Sequence, residues 1–271
     1  MTAQAPSVPT GGLPAVRRRI VSERAAYGIA GVLVVILVWQ LAAQAHLVKT
    51  VLVSSPTAIV AAGAQEFETG TIWPDMYATF SIWFLGFLIA SSLGIAIGLV
   101  SGRFRRVRVV ADAWLNATNV APDLAFVPIL ILWFGIGVSF KLVLVVLTGT
   151  FYIAVNTLAG VKSAEGRFLR VADSYGASEM RTFRTVIVPG ALPYIMTGLR
   201  LGSGRTIIAI IIAEFVSSNQ GIGFMISVAS SFLETGTVMF GILLLAALGF
   251  LISEVLGQLE HRFDAWRPAT K

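Results

Sequence analysis

The feature of this chain that most limits its fold is a series of long apolar stretches separated by short polar segments. A helix needs about 20 mainly apolar residues to cross the hydrocarbon of a bilayer. Six stretches approach that length, and the third of them is interrupted by Pro122 and Asp123. They run from about Ala25 to Ala45, Ala78 to Ser101, Val107 to Phe134, Phe140 to Ala159, Pro193 to Phe215 and Gly236 to Leu256. We therefore predict an all-α membrane protein with about six transmembrane helices.

The composition excludes a soluble enzyme. Of the 271 residues, 56% are hydrophobic and 13% are charged, whereas a soluble domain carries about 25% charged residues. So few charged groups do not cover a water-facing surface, and lipid has to supply much of the surroundings. Cysteine is absent from the sequence, which excludes disulfides and thiolate chemistry. The two histidines, His46 and His261, lie far apart, so we predict no metal site.

The basic residues predict the orientation of the chain in the membrane. Sixteen of the twenty flank one side of the predicted spans: Arg17, Arg18, Arg19, Arg24, Arg103, Arg105, Arg106, Arg108, Lys162, Arg167, Arg170, Arg181, Arg184, Arg262, Arg267 and Lys271. Lys49 and Lys141 lie on the other side. Cationic loops stay in the cytoplasm, which predicts a multi-pass protein of the inner (plasma) membrane with both termini cytoplasmic. The net charge of +6 is therefore attributed to topology and membrane lipid rather than to nucleic acid.

The N-terminal segment has two interpretations. In the first, residues 1–24 form a disordered cytoplasmic tail and residues 25–271 form the transmembrane domain. In the second, the arginines, the apolar run and Ala43-Gln44-Ala45 form a cleavable signal peptide, which would leave five spans and an external N-terminus. The apolar run is long for a signal peptide, which favours retention of the first span.

A polar segment of about thirty residues, from Gly160 to Pro189, separates the fourth and fifth stretches on the predicted cytoplasmic side. Its pattern predicts two short helices, Glu165–Tyr175 and Ser178–Val188, with Gly176 at the turn between them. Pro189 is expected to end the second helix. A helix–turn–helix at the mouth of a helical bundle suits docking onto another protein.

This segment resembles the signature loop of permease subunits of binding-protein-dependent ABC importers. That signature reads E-A-A, three residues, G, nine residues, I-x-L-P. The matching positions are Ala172, Gly176, Val186, Val188 and Pro189. The match is partial, because Arg170 stands at the glutamate position and Val171 at the second position.

Other segments resemble the nitrate/sulfonate/taurine branch of that family. They are Ala172–Ser178, Val188–Pro193, Gly198–Arg200, Phe126–Gly137, Ala213-Glu214, Gly221–Gly223 and the tail through Trp266. The resemblance covers about Ser55 to Trp266. It implies a type I ABC importer permease-like bundle with a cytoplasmic coupling helix and a core permease module over about residues 74–263.

The resemblance also implies partners and a coupling site. The partners are ABC ATPase subunits, an extracytoplasmic substrate-binding protein and a second copy of this chain in a homodimer. ATP and Mg would be bound by the ATPase, and no cofactor by this chain. A G-x-x-x-x-G-K-[ST] phosphate-binding motif is absent from the sequence, so ATP hydrolysis requires a separate chain. The ATPase-coupling loop is expected to comprise Arg170, Ala172, Asp173, Ser174, Tyr175, Gly176, Ala177 and Pro189.

Two charged residues in the fifth stretch are candidates for the translocation path. Arg205 lies near the middle of the stretch, where an arginine costs at least about 2.5 kcal/mol and faces a cavity or a partner. It either attracts an anionic solute or pairs with an acid or carbonyl of another helix. Glu214 lies on the opposite side of the same helix, so the two residues cannot pair within it. Near the outer end, Glu214 either gates the path or sits in water.

Small residues and prolines give further candidates. Gly198 and Gly202 form a G-x-x-x-G pair, which lets helix backbones approach closely within one subunit or across a dimer. Pro122 and Pro128 bracket the least regular stretch, and broken helices in transporters lie beside the substrate path.

Two other functions are weighed against the permease. An intramembrane enzyme needs paired acids or a nucleophile with its base at helical spacing, and the predicted spans contain neither. A stand-alone secondary transporter or channel has little use for the long cytoplasmic helix–turn–helix. For the solute, the resemblance implies a small organic or inorganic anion such as a sulfonate or nitrate, although relatives also carry heterocycles.

Overall fold

A computed structural model describes residues 14–45, 53–120, 123–163, 168–216 and 218–263. Every regular element in these ranges is helical, which confirms the all-α prediction. The α-helices are α1 Pro14–Gln44, α2 Pro56–Thr69, α3 Ile72–Arg103, α4 Arg105–Val120, α5 Val127–Phe134, α6 Val138–Ser163, α7 Phe168–Ser174, α8 Glu179–Thr182, α9 Val188–Val216, α10 Ile222–Ser231 and α11 Thr235–Phe263. A 3-10 turn at Asp123–Phe126 precedes α5, and a π-helical turn at Phe183–Ile187 joins α8 to α9.

Five helical segments in the described ranges are long and apolar enough to cross a membrane. They are Tyr27–Gln44, Ile72–Arg103, Val138–Ser163, Glu179–Val216 and Thr235–Glu260. The remaining predicted stretch, from about Val107 to Phe134, is not one helix, because α4 ends at Val120 and α5 is a separate helix of 8 residues. Pro122 itself lies outside the described residues, but a proline disfavours helical conformation in the residue before it. Neither piece therefore reaches the length of a span.

The first helix begins earlier than the sequence predicts. α1 starts at Pro14, whereas the predicted span begins near Ala25. Proline is favourable in the first turn of a helix, and arginine and alanine are good helix formers. The polar residues before the span therefore extend the helix.

The centre of the fold is formed by α3, α6 and α9, whose facing sides bury a cluster that includes Phe140 and Ile210. Small residues bring the three backbones close together. A Cβ added to Gly94 would lie 2.8 Å from Ile153, and one added to Gly149 would lie 2.7 Å from Ala90. Close backbone approach over small residues is a main source of helix association in membranes.

α9 continues through both of its prolines, so the predicted helix end at Pro189 is wrong. Proline lacks an N–H and crowds the carbonyl four residues before it. The π-helical turn ahead of α9 accommodates this, because the Val188 N–H donates to the Phe183 carbonyl, five residues back. Local adjustments of this kind allow membrane helices to carry proline.

Candidate functional site

The predicted coupling segment folds as α7, a tight turn and α8. Gly176 occupies the turn with φ of +64°, a conformation that glycine adopts without strain. The Ala177 N–H donates to the Ala172 carbonyl at 3.0 Å, and the Tyr175 N–H donates to the Val171 carbonyl at 3.1 Å. The 172–177 bond joins groups five residues apart, as in the glycine-terminated ends of many helices. The glycine therefore ends α7 and turns the chain sharply into α8.

The turn presents an exposed surface. Tyr175 is 86% exposed, and Val171 and Met180 are also exposed apolar side chains. A Cβ added to Gly176 would meet nothing within 4 Å, so the space beside the turn is open. An apolar tip beside an open glycine is suited to contact with another protein.

The predicted coupling residues occupy different environments. Arg170, Ser174, Tyr175 and Gly176 are exposed and Ala177 is half-buried, while Ala172 is buried beneath them. Pro189 does not join this group, because it lies beyond the π-helical turn at the start of α9. The side chain of Asp173 lies outside the described ones.

Two ion pairs connect the coupling segment and α4 to the long apolar helices. Arg103, at the end of α3, pairs with Glu179 at the start of α8. Lys162, at the end of α6, pairs with Asp112 of α4 at 2.7 Å. Sequence reasoning treated the two basic residues as topology signals and missed both acids, because the partners are far apart in the chain. The pairs tie the coupling segment and α4 to the helices that form the core.

Arg205 lies in α9 with its guanidinium carbon 4.9 Å from the centre of the Tyr152 ring on α6. Among the described residues it forms no ion pair, and its side chain is exposed. Arg200, on the same helix, instead pairs with Glu260 at 3.5 Å and donates to Ser253 at 3.2 Å. The middle of α9 therefore carries an exposed cation whose donors have no acceptor within the described part of the chain.

Glu214 occupies a closed junction of α3, α9 and α10, where its side chain is only 1% exposed. Its carboxylate accepts from the Thr79 hydroxyl at 2.8 Å and from the Gly223 N–H at 2.8 Å. The Thr79 oxygen in turn accepts from the Ile222 N–H at 2.9 Å, and Asp75 accepts from the Gly221 N–H at 2.7 Å. Three successive N–H groups at the start of α10 are thus capped by side chains of two other helices.

The junction gives a physical reason for the Gly221-Ile222-Gly223 segment. Gly221 has φ of +125°, and a Cβ there would run into the Glu214 carboxylate. A Cβ on Gly223 would lie 2.8 Å from the Glu214 Cβ. Beside it, Lys141 is buried and donates to Ser218 at 2.5 Å. Glu214 therefore stabilises the start of α10. Sequence reasoning missed Thr79, which donates to Glu214, and Asp75, which accepts from the Gly221 N–H.

Cβ atoms added to Gly198 and Gly202 would lie 2.8 Å from Asn156 and 2.9 Å from Ile153, so this pair packs on α6 of the same chain. Pro128 is exposed near the start of α5, and Pro122 lies outside the described residues. The structure does not bring Arg205, Glu214 and Pro128 into one site.

Comparison with known proteins places the chain among transport proteins. The family model described as "Binding-protein-dependent transport system inner membrane component" matches residues 90–265. The taurine transport system permease protein TauC of Escherichia coli K12 is 33% identical over 250 residues, which is 90% of this chain and 91% of TauC. The candidate aliphatic sulfonates transport permease SsuC of the same organism is 37% identical over 237 residues, 87% of this chain and 89% of SsuC.

A solved structure shares the fold. A chain of an amino acid ABC transporter crystallised with histidines superimposes with a TM-score of 0.59 at 17% sequence identity, covering 74% of this chain and 96% of that one. At this identity the likeness concerns the fold alone.

Proposed function

The chain belongs to the family of binding-protein-dependent transport system inner membrane components, and from that premise we propose that its importer carries organic sulfonates. As a member, the chain is a membrane-spanning permease subunit of an ABC importer. It is not itself an enzyme, since hydrolysis takes place on a partner ATPase and a substrate-binding protein delivers the solute. The ATPase would hold ATP and Mg, and this chain would bind no cofactor.

The observation that carries the sulfonate proposal is the open guanidinium of Arg205 in the middle of α9. A sulfonate is a monoanion with three oxygens, and the planar fork of arginine matches oxyanions with two parallel hydrogen bonds. The taurine and aliphatic sulfonate permeases named above are similar over nearly the whole chain, which supports the same solute class.

The contact with the ATPase is proposed at the turn of the coupling segment, at Ser174, Tyr175, Gly176 and Ala177. Exposed apolar side chains beside a glycine with open space above it support this assignment. Movement of the ATPase would pass to the core through the Arg103–Glu179 ion pair and through the π-helical turn into α9. π-helical turns in α-helices are frequent at functional sites.

Two copies form a homodimer with both termini in the cytoplasm, in the inner (plasma) membrane and surrounded by lipid. The α9 face that carries Arg205 also exposes Leu201, Gly204 and Ile208, and a second copy facing it would enclose a path. The part of α1 from Tyr27 to Gln44 is apolar and largely exposed, and is suited to contact with lipid.

Uptake into proteoliposomes tests the proposal. The permease is reconstituted with its ATPase and its substrate-binding protein, and labelled taurine, ethanesulfonate and nitrate are offered separately. We expect ATP-dependent uptake of a sulfonate, and loss of at least about tenfold in Arg205→Gln, because a bidentate charged contact is removed. Uptake of nitrate without either sulfonate, or unchanged uptake by Arg205→Gln, would contradict the proposal.

A further inference from the structure

An aromatic residue of α6, Tyr152, lies beside Arg205 of α9. An aromatic ring, rather than an acid, lies against its guanidinium at 4.9 Å. Arg200, by contrast, is engaged by Glu260 and Ser253. The two arginines share one helix, so the difference lies in what faces them.

The Tyr152 ring is held at a fixed distance from α9. Gly198 and Gly202 let α9 approach α6 so closely that an added Cβ would lie within 3 Å of Asn156 and Ile153. The Asn156 amide donates to the carbonyl of Tyr152 at 2.8 Å, so it is directed to its own helix. The close packing of the two helices therefore fixes the position of the ring against Arg205.

A ring and an acid act differently on a guanidinium. The five N–H donors of arginine point outward in the guanidinium plane, and an aromatic ring attracts the cation without offering a carboxylate oxygen to those donors. An acid would occupy donors and neutralise the charge. The Tyr152 ring attracts the cation and limits its rotation, and it leaves the donors free for an incoming oxyanion.

We infer that Tyr152 is a positioning residue that orients the Arg205 guanidinium toward the sulfonate group of the solute. The inference rests on the proposed function, since it takes the solute to be a sulfonate. It assigns recognition in the membrane to a pair of residues on two helices. The hydroxyl group has no part in it, because the attraction comes from the ring face.

Substitutions at Tyr152 test the inference in the reconstituted complex with labelled ethanesulfonate and saturating ATP. Tyr152→Phe keeps the ring and is expected to retain most of the uptake. Tyr152→Leu removes the ring and is expected to lower kcat/KM of uptake by roughly two- to fivefold, the range of a cation–π contact at an exposed site. Tyr77→Leu is the matched control, because Tyr77 is 77% exposed on α3.

A double-mutant cycle separates positioning from packing. In an Arg205→Leu background, Tyr152→Leu is expected to cause no further loss, because the two residues act as a unit. An equal loss in both backgrounds, unchanged uptake by Tyr152→Leu, or loss by Tyr152→Phe as well would overturn the inference. Tyr152→Met serves as a second variant without a ring. If neither it nor Tyr152→Leu assembles while Tyr152→Phe does, the ring is structural and the inference is also overturned.

The two proposals fail in different ways. Wild-type complex that takes up neither ethanesulfonate nor taurine refutes the sulfonate function, and the role of Tyr152 with it. Wild-type complex that takes up a sulfonate with no dependence on the ring refutes the role of Tyr152 alone.

Discussion

Gly176 allows backbone strain and steric bulk to be tested separately at one residue. Its φ of +64° costs an ordinary L-residue roughly 1–2 kcal/mol, whereas asparagine visits this region more readily. A side chain there meets nothing within 4 Å in the isolated chain, so any clash has to come from a partner. Asparagine thus adds bulk with little disturbance of the turn.

We predict that Gly176→Asn lowers ATP-driven uptake by about tenfold or more while the complex continues to hydrolyse ATP, because a displaced coupling segment no longer transmits movement. Uptake and ATPase activity are measured on the same proteoliposomes. Gly70→Asn is the matched control, since Gly70 also has a positive φ of 75° and open space but caps α2. Normal uptake by Gly176→Asn would contradict the prediction that the turn at Gly176 contacts the ATPase.

The sequence alone identified the charged candidate residues more readily than the residues that contact them in the fold. The position of Arg205 in an apolar stretch is enough to make it a candidate, because a charged side chain in hydrocarbon is energetically costly and is seldom placed there without a function. Tyr152 and Thr79 gave no such signal. Each acts across a helix–helix contact between distant parts of the chain, and the periodicity of one helix does not determine its register against another.

The N–H groups at the start of α10 are capped by side chains of other helices. Few local groups are available to cap it, because Gly221 and Gly223 have no side chains to offer. Asp75, Thr79 and Glu214 supply the acceptors instead. The N-terminal end of α3, the C-terminal end of α9 and the start of α10 are therefore expected to move together.

We predict that Thr79→Val destabilises this junction by about 1–3 kcal/mol, because it removes a buried hydroxyl that both donates and accepts. The melting temperature of the purified complex should fall, and amide exchange at 222–226 should accelerate. Thr150→Val is the matched control, since Thr150 is equally buried and its hydroxyl lacks a partner in the described part of the chain. Equal stability of the two variants would show that α10 needs no cap from α3.

Apolar length predicted the spanning helices well, and proline predicted their ends poorly. Five stretches correspond to five helices, because lipid leaves a long apolar segment few alternatives to a helix. Pro189 does not end its helix, because a π-helical turn shifts the hydrogen bonds around it. A rule that expects proline to end a helix assumes α-helical hydrogen bonds and does not include this π-helical shift.

For the whole molecule, the distribution of charge supports an orientation that the fold makes testable. α9 has 29 residues and is thus about 43 Å long, so the coupling turn before it and the Asn219 turn after it belong on opposite sides of a bilayer. The basic residues favour the cytoplasm for the coupling side.

The absence of cysteine from the sequence makes a single introduced thiol a unique label. Ser174→Cys and Asn219→Cys, both at exposed positions, are expressed without the ATPase and treated in spheroplasts with a membrane-impermeant maleimide. We predict that Asn219→Cys is labelled at once and Ser174→Cys only after permeabilisation. The reverse pattern would invert the orientation and exclude an ATPase contact at Gly176. Labelling of both in intact spheroplasts would mean that α9 does not cross the membrane, and the path assigned to Arg205 would be excluded with it.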